Sequence, residues 1–395
     1  MRRLALCCGV LVGMACSSGA PLVTHHVTPL SGTTQRLTWV DKPLLSAAGT
    51  RSMQYFGGNV IPNARVYLVY WGDPAQISTG VTAADGGMAD FFLGVTNSDY
   101  LDWLNEYDSD IPAQAGSHLG NPGTGQHIGR GNYGGSFTLT AIPDGNVTDL
   151  QIQQALAASV ASGALPPPDA NALYGLFFPS SVQITLEGST SCGSWLAYHN
   201  FTTLTSAHPA YYMVLPDCGS DTQTVSHELV EAITDAVPTP GSSPDFPQAW
   251  NTSDGNEVGD LCVGSGATVT TALGIFSVQG IWDERTKGCQ STTQLSQDFS
   301  IAFDSNSATL ASGTPVTATL QSATVKGQPQ PLTLSVVAPS GVSAVLSATT
   351  VTSGDSVLLT LTAGSGTLPQ GQVTVQALGA SNVGAQTHSA ALLLH

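Results

Sequence analysis

The sequence predicts an α/β core followed by an all-β sandwich, and three observations carry the prediction. Short apolar runs rich in β-branched and aromatic residues alternate with helix-period segments from Met53 onward. A helical segment, Ser220 to Pro238, follows the apolar run Tyr211 to Leu215 at once. After Cys289 the composition shifts to Ser, Thr, Gln, Val and Leu, without Cys or Trp and with repeated period-two alternation.

At the N-terminus, Arg2 and Arg3 precede the apolar run Leu4 to Ala15, which is too short to span a bilayer and has the form of a signal peptide over residues 1–20. Cys16, after Gly13-Met14-Ala15, resembles the acylated residue of a bacterial lipoprotein signal, although Gly13 stands where that signal usually has a branched apolar residue. Lipid anchoring through Cys16 and plain secretion are therefore both expectations, and an anchor would be the chain's one route to a membrane. Residues 21–50 show no clear period and read as a flexible approach.

The folded part begins with a strand and turn over Gln54 to Pro62, then a buried strand from Arg65 to Trp71. Met88 to Tyr107 reads as helix, broken at Asn97-Ser98-Asp99. The Gly-rich stretch from Gly116 to Gly135 is a loop, Ser136 to Ile142 a strand, and Val147 to Ala161 a helix begun by Asn146 or Thr148 and closed near Gly163. Leu173 to Phe178 and Tyr211 to Leu215 read as interior strands. In the helix after them, Ser220 and Gln223 have the form of a capping box, Leu229, Val230 and Ile233 form an apolar stripe, and Pro238 forbids continuation.

Composition narrows the function. Charged residues are only 9% of the chain and the net charge is −17, so ten Lys and Arg provide no cationic patch for nucleic acid. Cys192, Cys218, Cys262 and Cys289 are an even set in a chain marked for export, which favours two disulfides over a cysteine zinc site. Cys192 with Cys218 and Cys262 with Cys289 is the expected pairing, each closing a moderate loop around the helix region.

The chemistry concentrates on that helix. His227, Glu231 and Asp235 are spaced by four and stack along one face, with Glu228 one step round. His-Glu-x-x-His is a zinc motif because two imidazoles one turn apart hold the ion while the Glu takes a proton from the metal-bound water. Here Glu231 replaces the second His. A carboxylate is an acceptable ligand, with more negative charge and less Lewis acidity at the metal. Downstream, Asp254-Gly255 is a turn signal that lets Glu257 and Asp260 be presented from a loop pinned by Cys262, supplying a third ligand. The same acids also fit turn caps or a structural calcium. His199 is a further candidate if the Cys192 to Cys218 loop folds back; a surface or capping role is the alternative. A Ser-His-Asp hydrolase is disfavoured because Gly193-Ser194 lacks the nucleophile elbow.

The segment Ser226-His-Glu-Leu-Val-Glu-Ala-Ile-Thr-Asp235, followed by Glu257-Val-Gly-Asp-Leu-Cys262, resembles the EXORDIUM or phosphate-induced protein family. Tyr55-Phe-Gly-Gly58 leading into Val66 to Gly72, and Ser191-Cys-Gly193 with Tyr198-His199, fall in the same order as that family's segments. Ala236 departs from the Pro commonly found there. The resemblance implies an EXORDIUM-like extracytoplasmic domain over residues 51–290 with a zincin-like, metallopeptidase-type helix, and carries His227, Glu228, Glu231 and Asp260 as its site. Residues 296–395, with strands over Val316 to Leu320, Leu332 to Val337, Ser356 to Thr362 and Gln372 to Leu378, resemble immunoglobulin-like modules of exported bacterial hydrolases.

Two functions follow as expectations. One is a metal-dependent hydrolase of peptidase type acting on a peptide or cell-wall substrate, with zinc on His227, Glu231 and Glu257 or Asp260, and Glu228 activating the water. The other is a non-catalytic cell-envelope or adhesion protein in which the same acids hold calcium, another structural metal or no metal.

Overall fold

Arg65–Trp71, Ala172–Phe178 and Ala210–Pro216 are apolar nearly throughout because they lie side by side inside one sheet, covered on both faces. The computed structural model describes residues 26–27, 51–83, 86–140, 145–204, 208–219, 222–239, 243–293, 295–305, 307–364, 371–381 and 384–395. The signal peptide, Cys16, the helix cap at Ser220 and most of residues 21–50 lie outside these. The sheet has six strands in the order His26–Val27, Tyr198–Thr202, Ala210–Pro216, Ala172–Phe178, Arg65–Trp71, Asn132–Leu139. The last four are parallel to one another, and Tyr198–Thr202 runs antiparallel to both of its neighbours. His26–Val27 therefore belongs to the sheet edge, within a segment the sequence suggested was flexible.

Alternation along these strands feeds two cores. Leu68, Leu173, Phe177, Met213 and Leu215 pack with Val225, Leu229 and Ile233 of the helix Thr222–Thr234. Val69, Tyr174, Leu176, Tyr212 and Val214 pack on the other face with Ile152 and Leu156 of the helix Asp149–Ala161. The second helix is capped as its sequence suggests: Thr148 and Gln151 form a reciprocal capping box. The first is shorter than expected, ending at Thr234 rather than Val237: Asp235 N still donates to the Glu231 carbonyl at 2.7 Å, but Ala236 N turns to the Asn59 carbonyl at 3.3 Å. The strand expected over Ser136 to Ile142 is shifted to Asn132–Leu139, with Gly135 in a left-handed conformation beside a register shift.

The fold class is corrected by the balance of elements. Among the described residues strand dominates, 41% against 16% helix, and the sheets are curled; the chain is not built on an α/β zincin-like metallopeptidase-type core. Among the described residues two helices reach 13 residues, Asp149–Ala161 and Thr222–Thr234. The alternation of strand and helix read over residues 147 to 237 is a local pattern. Outside it the segments pair as ribbons: Trp250–Thr252 with Met53–Tyr55, Gly266–Thr271 with Gly274–Gln279, and Ile281–Asp283 with Gly288–Gln290.

Beyond Gln297 two further sheets enclose a separate core of Phe299, Ile301, Leu320, Leu334, Leu359, Val373 and Leu392. One has the order Asp298–Phe303, Val316–Lys326, Ser356–Ala363, Val342–Leu346. The other runs Ser307–Ala308, Gly384–Leu394, Gly371–Ser381, Pro331–Val337, Thr350–Thr352. Arg130 ties this part to the rest. Its guanidinium, 7% exposed, pairs with Asp102 at 2.6 Å and with Asp298 at 3.0 Å, and Asp298 in turn meets His388 at 3.1 Å.

Candidate metal centre

His227, Glu228 and Glu231 sit on Thr222–Thr234, His199 on the strand Tyr198–Thr202 across from it, and Glu257 and Asp260 on the loop after Trp250–Thr252. The strand's alternation aims His199 at the helix while Tyr198 and Asn200 turn to the opposite layer, where both bond Asp149. The loop is held by disulfide Cys262–Cys289, and the turn before the helix by Cys192–Cys218. Both are the expected pairs.

The side chains converge. His227 Nε2 is 3.2 Å from Glu231 Oε2 and 4.0 Å from Asp260 Oδ1. His199 Nδ1 is 3.4 Å from Glu228 Oε2 and 3.9 Å from Glu231 Oε2, and its Nε2 is 3.5 Å from Glu257 Oε1. His227, Glu228, Glu231 and Glu257 are 0% exposed and His199 1%. Burial on this scale is costly for ionised groups unless charge is matched.

Hydrogen bonds set the imidazoles. Gln279 Nε2 donates to the Gly259 carbonyl at 2.7 Å, which leaves Gln279 Oε1 to accept from His227 Nδ1 at 3.1 Å. His227 Nε2 then carries a lone pair facing the Glu231 carboxylate, without the alignment of a hydrogen bond. His199 Nε2 lies 3.2 Å from the Asp235 carbonyl, an acceptor that turns its Nδ1 lone pair toward Glu228 and Glu231. Two lone pairs directed at carboxylates repel unless protons or a cation stand between them. Accordingly, burial pushes the His227 imidazole down but the Glu231 carboxylate overrides it and raises its pKa to about 9. For His199 burial is likewise overridden by Glu257 and Glu228, which raise it well above its usual value. Burial raises the Glu228 and Asp235 carboxyls, Asp235 further through Glu257.

These buried His and Glu groups can hold a metal ion. Two sets of three have their ligand atoms within 4.8 Å of one another: His227, Glu228 and Glu231, and His199, Glu231 and Glu257. Ligands about 2.1 Å from zinc stand about 3.4 Å apart in a tetrahedron, so the observed spacings need only small closure. The cradle is tight: a Cβ on Gly259 would lie 2.8 Å from Glu231 Oε1 and 2.9 Å from His227 Nδ1.

Two sequence candidates are placed otherwise. Asp235 lies one residue past the helix, and its carboxylate accepts from Ala249 N at 2.9 Å and Asn251 Nδ2 at 2.7 Å, so it anchors the neighbouring strand and joins neither set. Asp260 Oδ2 accepts from Glu257 N at 3.0 Å and its own N–H donates to Glu231 Oε1 at 3.0 Å. It orients two ligands and belongs to neither set. Gln279 and Gly259 were not singled out from the sequence. Gly259 lies inside the Glu-x-x-Asp element, but no spacing links Gln279 to His227, 52 positions away.

No family model matches the chain, and no curated protein matches it. Among solved structures it is similar to domains 4 and 5 of the S-layer protein SbsC, at 11% identity and TM-score 0.19, over 30% of this chain and 57% of that one. The C. elegans MSP family member WR4 aligns at 9% identity and TM-score 0.18, over 24% of this chain and 97% of its own. The Vibrio cholerae VesB protease aligns at 13% identity and TM-score 0.19, over 29% and 40%. Likenesses of this size carry no argument about the site.

Proposed function

We propose that this is an exported, non-catalytic cell-envelope protein of the EXORDIUM type whose helix Thr222–Thr234 is locked in place by a structural divalent cation of the zinc class. The observation that carries the reading is burial: His227, Glu228, Glu231 and Glu257 are 0% exposed. Closed sites are the mark of structural metals, whereas catalytic sites keep a position open to substrate. The donor set of imidazole and carboxylate suits zinc better than calcium, which prefers six to eight oxygens. Two disulfides fit an oxidising, extracellular setting. Family membership is supported by the way its two motifs, on the helix and on the Glu257 to Cys262 loop, meet in one cluster.

When bound, the cation supplies positive charge to a buried acidic cluster. The chain's own groups do the rest: Gln279 holds the His227 tautomer, Asp260 N–H orients Glu231, and the Cys262–Cys289 bridge keeps Glu257 against the helix. Purified protein is expected to contain zinc by elemental analysis, and chelation is expected to lower Tm by several degrees. Metal-free protein whose Tm is indifferent to zinc would reject the reading.

A metal-dependent peptidase is the second reading, favoured by one observation: Glu228 is a buried carboxyl with a raised pKa beside both imidazoles, as a general base would be. Glu228→Gln separates the two. Loss of cleavage across a peptide library with zinc content retained would favour the peptidase; absence of cleavage in wild type favours the structural role.

A further inference from the structure

Glu231 belongs to both ligand sets, and neither set contains both imidazoles. Its Oε2 lies between them, 3.2 Å from His227 Nε2 and 3.9 Å from His199 Nδ1. That is the position of a bridging ligand. The His227 Nε2 lone pair, buried and without a hydrogen bond, is directed at this oxygen from one side. On the other side stands His199 Nδ1, with Glu257 Oε1 3.5 Å from the same ring's Nε2.

Burial points the same way. Glu228, Glu231, Glu257 and both imidazoles are at most 1% exposed, so the donors of the two sets face one another rather than water.

We propose that the centre is dinuclear: Glu231 bridges two divalent cations, one held with His227 and Glu228, the other with His199 and Glu257. Paired metal sites bridged in this way hold their ions about 3.5–4 Å apart, a separation that the Glu231 carboxylate spans. The proposal rests on the reading of the cluster as a metal centre and adds its stoichiometry and second ligand set.

The test is equilibrium loading of the full exported chain, stripped with chelator, refilled with zinc and desalted, with zinc per chain read by elemental analysis. Wild type is expected to hold two equivalents and His199→Ala one, with far-UV circular dichroism unchanged. Glu257→Gln, which keeps the side chain's size, is expected to give one as well and decides the matter if His199→Ala does not fold. Saturation of wild type at one equivalent, or two equivalents retained in Glu257→Gln, overturns the second site while leaving a mononuclear centre standing. Zero equivalents in wild type overturns the metal reading itself.

Discussion

Gly259 shows how narrowly the cluster is built. Its backbone, at φ −78° and ψ −40°, is open to any residue, so what excludes a larger side chain is space alone. An added Cβ would press on Glu231 Oε1 and on the ring of His227. Gly259→Ala is expected to cost about 1–3 kcal/mol through overpacking and to weaken zinc binding at least tenfold. Thermal unfolding with and without zinc checks both; unchanged affinity would show that the loop yields without disturbing the ligands. His227 and Glu231 were legible from sequence because a helix places residues four apart on one face whatever surrounds it. Asp235 obeyed the same spacing but fell beyond the helix end, where the Ala249 and Asn251 donors claimed its carboxylate.

At the scale of elements, the centre is a joint between a helix, a strand and a loop. The loop's backbone bonds are turn-like, such as Cys262 N to the Gly259 carbonyl at 2.9 Å, with Trp282 N on the Val258 carbonyl at 3.2 Å, and Cys262 is bridged to Cys289 on the ribbon Ile281–Asp283 with Gly288–Gln290. Replacing both cysteines by Ser is expected to destabilise the chain by about 2–5 kcal/mol and to lower zinc affinity more than the same change at Cys192 and Cys218, which lie outside the cluster. Calorimetry and zinc titration of the two double variants would compare them, and equal affinities would remove the loop from the metal's account. The disulfide pairing was readable because sequence separations of 26 and 27 close compact loops on neighbouring elements. The partnership of Gln279 with His227 was not readable, since it depends on how the ribbon Gly266–Thr271 with Gly274–Gln279 lies across the helix.

For the whole molecule, buried charge governs stability in the stripped state. His227 has its pKa raised to about 9 against 6.5 unfolded, so its contribution is fully present below about pH 6.5 and is lost as pH rises through about 9. Glu228 and Asp235, raised by burial, push in the same direction, because the folded chain holds protons that the unfolded chain has released. Chelated protein is therefore expected to lose stability steadily from pH 6.5 to 9. Zinc, which replaces those protons, is expected to stabilise most at the alkaline end. Melting curves across that range, with and without chelator, test the sign; a chelated protein whose Tm rises with pH would contradict it. A second buried network, Arg130 with Asp102, Asp298 and His388, joins the C-terminal sheets to the rest.

The sequence alone determined what local rules reach: apolar runs that become buried strands, the Thr148 capping box, the helical spacing of His227 and Glu231, and cysteines placed to bridge. It overstated the helical part, because alternation within residues 147 to 237 was extended to a chain whose described residues hold far more strand than helix. Only the tertiary structure brought His199 and Glu257 to the helix, set Gln279 behind His227 and closed the cluster from solvent. Those contacts join residues tens of positions apart, and their energy comes from packing and matched charge that no short stretch of sequence contains.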